Sequence, residues 1–175
     1  RAYSGEGQAL GALREPRGLA VDEQNRVYVA DTGNDRIVVM QATTEFGEIQ
    51  LVPQYEIQGL ARPHDVAVSD AGTPFVPADD VLYVADTGHN RVAAFALGAN
   101  AARPIAALGD LGSGVGRFAG PMAITVRRAN GASTPDVYVA DAHTQRLVHL
   151  RLQGGSFAWV GDVKQDADIV TSLDS

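Results

Sequence analysis

The chain has 175 residues, 45% hydrophobic and 20% charged, with a net charge of −7 and no cysteine. That composition describes a folded globular protein with enough chain for a real core. The acidic balance and the absence of any basic cluster argue against binding to nucleic-acid phosphates. The lack of cysteine excludes disulfides, thiolate catalysis and cysteine-ligated metals. No apolar run reaches the length of a membrane span. The chain opens on Arg1 rather than Met, from which processing, proteolysis or excision from something longer is expected.

In chain order, residues 1–15 carry Gly5, Gly7 and Gly11 and read as a loop. Gly7, Gly11 and Pro16 align with Gly112, Gly116 and Pro121, so the same loop returns later. Pro16-Arg17-Gly18-Leu19-Ala20-Val21-Asp22 follows, with counterparts at Pro63–Ser69 and Pro121–Arg127. Proline cannot donate to a ladder, so each of these stretches is expected to begin a short strand, here strand a. Strand b is Val27-Tyr28-Val29-Ala30-Asp31, repeated from Leu82 to Asp86 and from Val137 to Asp141. It is expected over about Arg26–Ala30, Val81–Ala85 and Val137–Ala140. It is apolar on both of its alternating faces, so both faces must be covered. The links between strands a and b at Asp70–Asp80 and Arg128–Asp136 are longer and rich in Gly and Pro, as surface loops are.

Each strand b ends in a turn, Thr32-Gly33-Asn34 in the first copy, where Gly33 and Asn34 are expected to take positive φ. Strand c is expected over Ile37–Met40, Val92–Phe95 and Leu147–Leu150. Strand d is expected over Tyr55–Ile57, Ile105–Leu108 and Phe157–Val160. Asp31, Asp86 and Asp141 recur at a constant spacing of 55 residues. A fixed period of that size marks a repeat architecture. No helical periodicity of useful length is present.

Four short antiparallel strands per repeat, apolar on both faces, define an all-β fold of β-propeller blades, each needing neighbours to bury it. About three blades are present, over residues 16–60, 61–110 and 119–162, with the start of a next blade in 163–175. The pattern Pro-x-Gly-Leu-Ala-Val-Asp, then Val-Tyr-Val-Ala-Asp-Thr-Gly-Asn, then Arg-Ile resembles the NHL repeat. The resemblance implies a six-bladed ring, of which three blades are half. The rest would come from a missing part of the chain or from a second copy.

Residues present in every repeat are expected to build blades. Asp31, Asp86 and Asp141 would fix turns, with Arg36, Arg91 and Arg146 satisfying nearby carbonyls. Tyr28, Tyr83 and Tyr138 would pack the core, with their hydroxyls reaching a neighbouring blade. Residues that differ between equivalent places are the candidates for function: Arg17, His64 and Met122 after the three prolines, and Asn34, His89 and His143 in the turns. All six are expected on one face of the ring, the first three nearer its axis.

Pro63-His64 is similar to the step that supplies zinc ligands in peptidyl-hydroxyglycine amidating lyases, which makes His64 the candidate metal ligand, with zinc or calcium on the axis as the cofactor of that alternative. Arg17 and Met122 at the equivalent places do not complete such a set, because a zinc site takes three or four ligands. The expected function is therefore a non-catalytic binding, interaction or sensor module without a cofactor. Its partner would be a protein or small molecule on the axial face, not nucleic acid, in an extracytoplasmic or secreted setting. A metal-dependent propeller enzyme is the alternative.

Overall fold

The small and branched residues of each repeat form twelve strands in a computed structural model that describes residues 10–69, 80–128 and 134–163. The first repeat gives β1 (Pro16–Val21), β2 (Arg26–Asp31), β3 (Arg36–Glu45) and β4 (Glu48–Ile57). The second gives β5 (Pro63–Ser69), β6 (Val81–Asp86), β7 (Arg91–Leu97) and β8 (Ala102–Leu108). The third gives β9 (Pro121–Arg127), β10 (Asp136–Asp141), β11 (Arg146–Gln153) and β12 (Ser156–Val163). Each set is one four-stranded sheet in sequence order, antiparallel throughout. Most of the Asp70–Asp80 link, part of the Arg128–Asp136 link, and the next-blade start expected in 163–175 (beyond Val163) lie outside the described residues.

The sheets stack face to face, and apolar side chains from both partners fill each gap. Tyr28, Ala30, Ile37 and Val39 of the first sheet meet Val66, Leu82, Val84 and Phe95 of the second, with Leu60 wedged beside them. The opposite face of the second sheet, with Tyr83, Ala85, Val92 and Ala94, meets Ile124, Val137, Val139, Val148 and Leu150 of the third. There Phe118 is the wedge. Alternation within strand b thus feeds two different cores, as apolar character on both faces requires. The inner strands β1, β5 and β9 lie next to one another, so one end of each sheet is gathered toward a common axis.

Three expectations change. Strands c and d are longer than their apolar centres. The β3–β4 hairpin runs ten residues per strand, because Thr43, Thr44 and Gln50 pair outward beyond the core. Gly33 and Asn34 do not take positive φ, nor does Gly88 in the second repeat. That conformation belongs to Asp35, Asn90 and Gln145, at φ 55°, 52° and 54°. The glycines are needed for close approach instead: a Cβ on Gly33 would lie 2.9 Å from the Arg14 carbonyl oxygen, and one on Gly88 2.7 Å from that of Ala61. Finally, the Tyr28 hydroxyl reaches no neighbouring sheet. It donates to Asp22 Oδ2 of its own repeat at 2.8 Å.

Candidate functional site

Each turn after strand b is a short 3₁₀ turn, at Thr32–Asn34, Thr87–His89 and Ala142–Thr144. The aspartate before it is fully buried in all three repeats. Oδ1 accepts the backbone N–H of the loop leading into the same repeat: Arg14 at 2.6 Å, Ala61 at 2.8 Å and Ala119 at 2.8 Å. Oδ2 accepts the arginine Nε: Arg36 at 2.7 Å, Arg91 at 2.7 Å and Arg146 at 3.3 Å. The guanidinium then reaches on to that loop, as from Arg91 to the Gly59 carbonyl at 2.9 Å and from Arg146 to that of Ser113 at 2.7 Å. A buried carboxylate needs such saturation. The repeated residues are spent on folding, and they pin the incoming loop and the turn to the same end of each sheet.

Three of the six candidate site residues share that structural work. Asn34 donates to Asp31 Oδ2 at 2.8 Å, and His89 Nδ1 lies 2.8 Å from Asp86 Oδ2. In the third repeat Thr144 takes this part at 2.6 Å. His143 therefore stands in the place of Gly33, and its Nδ1 donates to the Ala119 carbonyl at 2.7 Å. Its ring fits because the neighbour is glycine: a Cβ on Gly120 would lie 2.3 Å from the His143 Nδ1.

The other three come together near the axis. Arg17, His64 and Met122 start the adjacent inner strands β1, β5 and β9. His64 Nδ1 lies 3.1 Å from the Met122 carbonyl oxygen. A carbonyl only accepts, so the proton sits on Nδ1 and Nε2 carries the lone pair. Burial, and after it the nearby Arg17 charge, hold the His64 pKa below its ordinary value, so the ring is neutral at neutral pH. Arg17 is exposed and forms no ion pair among the described residues. Asp65, beside His64, is engaged elsewhere, its Oδ2 accepting the Ile124 amide at 2.9 Å.

This arrangement offers a cation, a neutral hydrogen-bond acceptor and an exposed thioether. It does not fit zinc or calcium. One imidazole beside an arginine is not a ligand set, and no three His, Asp or Glu side chains among the described residues are grouped to hold a metal. At the other end of the inner strands a cavity of about 410 Å³ is lined in part by Asp22, Glu23, Asp80 and Arg128. Its walls are already paired: Arg26 Nε donates to Asp22 at 2.5 Å and its Nη2 to Asp80 at 3.2 Å.

Three stacked four-stranded antiparallel sheets around gathered inner strands are blades of a β-propeller. The family model described as NHL repeat matches residues 13–40, in the first blade. Among solved structures, the chain is similar to a 6-phosphogluconolactonase-like protein from Bacteroides uniformis, with a TM-score of 0.59 and 13% identity. The likeness covers 94% of this chain and 45% of that one, so this chain spans less than half of its length. At that identity the likeness concerns the fold. No curated protein matches the chain in sequence.

Proposed function

We propose that this propeller segment is a non-catalytic binding module whose ligand is a small hydroxylated anion held at the axial mouth formed by Arg17, His64 and Met122. The observation that carries the reading is the division of labour between the repeats. The repeated Asp–Arg pairs are spent on folding, and three of the places that differ, Arg17, His64 and Met122, come together beside the axis with hydrogen-bonding capacity to spare. Arg17 answers an anionic group, and the Nε2 lone pair of neutral His64 accepts from a hydroxyl. A propeller of like fold has a name that points to a phosphorylated sugar lactone as substrate, itself a hydroxylated anion of the same chemical class. That name also supports a second reading, an enzyme acting on such a substrate at the same mouth.

Titration with inorganic phosphate and with 6-phosphogluconate, followed by the NMR signals of the four histidines, tests the site. A saturable shift of His64 is expected, absent in Arg17→Ala, where the His64 pKa also rises toward its ordinary value. Shifts confined to other histidines would place the ligand elsewhere. Turnover of a sugar lactone that is lost in His64→Ala, or a stoichiometric metal lost in the same variant, would favour the enzyme over the module.

A further inference from the structure

The residue before each strand-a proline takes the left-handed conformation, at φ 48° for Glu15, 43° for Arg62 and 87° for Gly120. In the third repeat glycine serves this turn without strain, and the space a Cβ would fill holds the His143 ring. The first two repeats place long charged side chains there, although a residue other than glycine is strained at positive φ. Such strain clusters at ligand clamps and active sites. The Arg62 turn is held in shape by its own amide, which donates to Asp35 Oδ1 at 2.6 Å.

Both charged residues adjoin the axial mouth. Arg62 is two residues before His64, and Glu15 is two residues before Arg17. The strands that follow, β1 and β5, approach closely here because Gly18 has no side chain. A Cβ on it would lie 2.9 Å from the His64 carbonyl oxygen and 2.5 Å from the Asp65 Cα. Arg62 Nη2 meets Glu15 Oε2 across the seam at 3.6 Å, and both side chains are more than half exposed, at 61% and 52%. An exposed pair of that length contributes little, so Arg62 can exchange Glu15 for another anion at small cost. The charges around His64 agree with this placement. Burial is the main reason its pKa is low; Arg17 and, more weakly, Arg62 add to the lowering, while the Met122 carbonyl and Asp65 oppose it.

We infer that Arg62 is the second cation of the anion-binding mouth, paired with Glu15 until a ligand arrives, and that the mouth thereby selects a phosphate monoester over a carboxylate. The inference rests on the reading of Arg17, His64 and Met122 as a site for a hydroxylated anion. A phosphate monoester carries close to two negative charges at neutral pH and three acceptor oxygens, enough for two guanidiniums at once. It displaces the Glu15 carboxylate from Arg62 and keeps Arg17. A carboxylate bears a single charge and is satisfied by Arg17 alone. It gains nothing over Glu15 by moving to Arg62. Glu15 thus holds off singly charged ligands, while the hydroxyl that His64 accepts is common to both classes.

Titration with 6-phosphogluconate and with gluconate, which differ only by the phosphate, tests this through the His64 NMR signal at fixed pH and ionic strength. The wild type should bind 6-phosphogluconate more tightly by roughly tenfold or more, the size of one hydrogen bond between charged groups. Arg62→Gln should remove most of that preference by weakening 6-phosphogluconate while leaving gluconate unchanged, and Arg62→Lys should recover part of it. Glu15→Gln frees Arg62 and should tighten 6-phosphogluconate by roughly two- to fivefold, the worth of an exposed ion pair. A preference untouched by Arg62→Gln would overturn the inference alone and leave the mouth standing. An equal loss for both ligands would do the same, because Arg62 would then act only as general charge. A His64 signal that ignores both ligands, in the wild type and in Glu15→Gln, would overturn the mouth itself and the inference with it.

Discussion

Asp86 is sealed from water, and its two oxygens are filled by the Ala61 amide, Arg91 and His89. Removing it strands a backbone donor and a guanidinium together, and the penalty for a broken buried pair exceeds the net worth of any one bond in it. Asp86→Ala should therefore lower unfolding free energy by about 3 kcal/mol in urea titrations. His89 touches the same carboxylate from a side chain that is nearly half exposed, so water replaces it cheaply, and His89→Ala should cost less than about 1 kcal/mol. Equal losses would mean that the aspartate is not the hub of the turn. The repeated Asp and Arg announced a turn-fixing pair from sequence. That the same carboxylate also grips the loop leading into its own blade was not legible, because its partner there is a backbone amide, which no residue type advertises.

At the scale of elements, the β3–β4 hairpin shows what pattern reading reaches and where it stops. Strand c was visible through its apolar centre, Ile37–Met40, but the outer half of the hairpin is polar and exposed. Its ladder is held by backbone pairing that leaves no periodic trace. At its tip Phe46 and Gly47 both have positive φ, 51° and 83°, the combination of a type I′ turn, for which Asn-Gly is the favoured pair. Phenylalanine at positive φ is strained, and this one is fully exposed with no burial to offset the strain. Phe46→Asn should therefore stabilise the chain by roughly 0.5–1 kcal/mol, visible as a higher melting temperature. A fall in melting temperature would show that the ring makes a contact worth more than the turn costs. The candidate site followed the same rule. Placing Arg17, His64 and Met122 together needed only strand order. The orientation of His64 depends on the Met122 carbonyl and could not be read from side-chain types.

For the whole molecule, each blade depends on the next for one of its faces, so the stability of any blade is shared across its seams. Val84 is fully buried in the core between the first and second blades. The chain's single tryptophan, Trp159, lies in the third blade, against Phe118 at a ring distance of 5.6 Å and beneath the Arg146 guanidinium. The two residues belong to opposite seams and share no contact. Val84→Ala leaves a cavity and should cost roughly 1–3 kcal/mol. If the seams couple the blades into one cooperative unit, that loss will be felt at Trp159: tryptophan fluorescence and far-ultraviolet circular dichroism will give the same denaturation midpoint, and both will shift together in the variant. If instead the third blade unfolds by itself, the fluorescence midpoint will stay where it is while the circular dichroism midpoint falls. The continuous apolar cores on both sides of the second sheet favour the first outcome, since Val84 and Tyr83 are neighbours on one strand that serve opposite seams. A displacement of β6 from either side therefore reaches the other, without any contact between the outer blades.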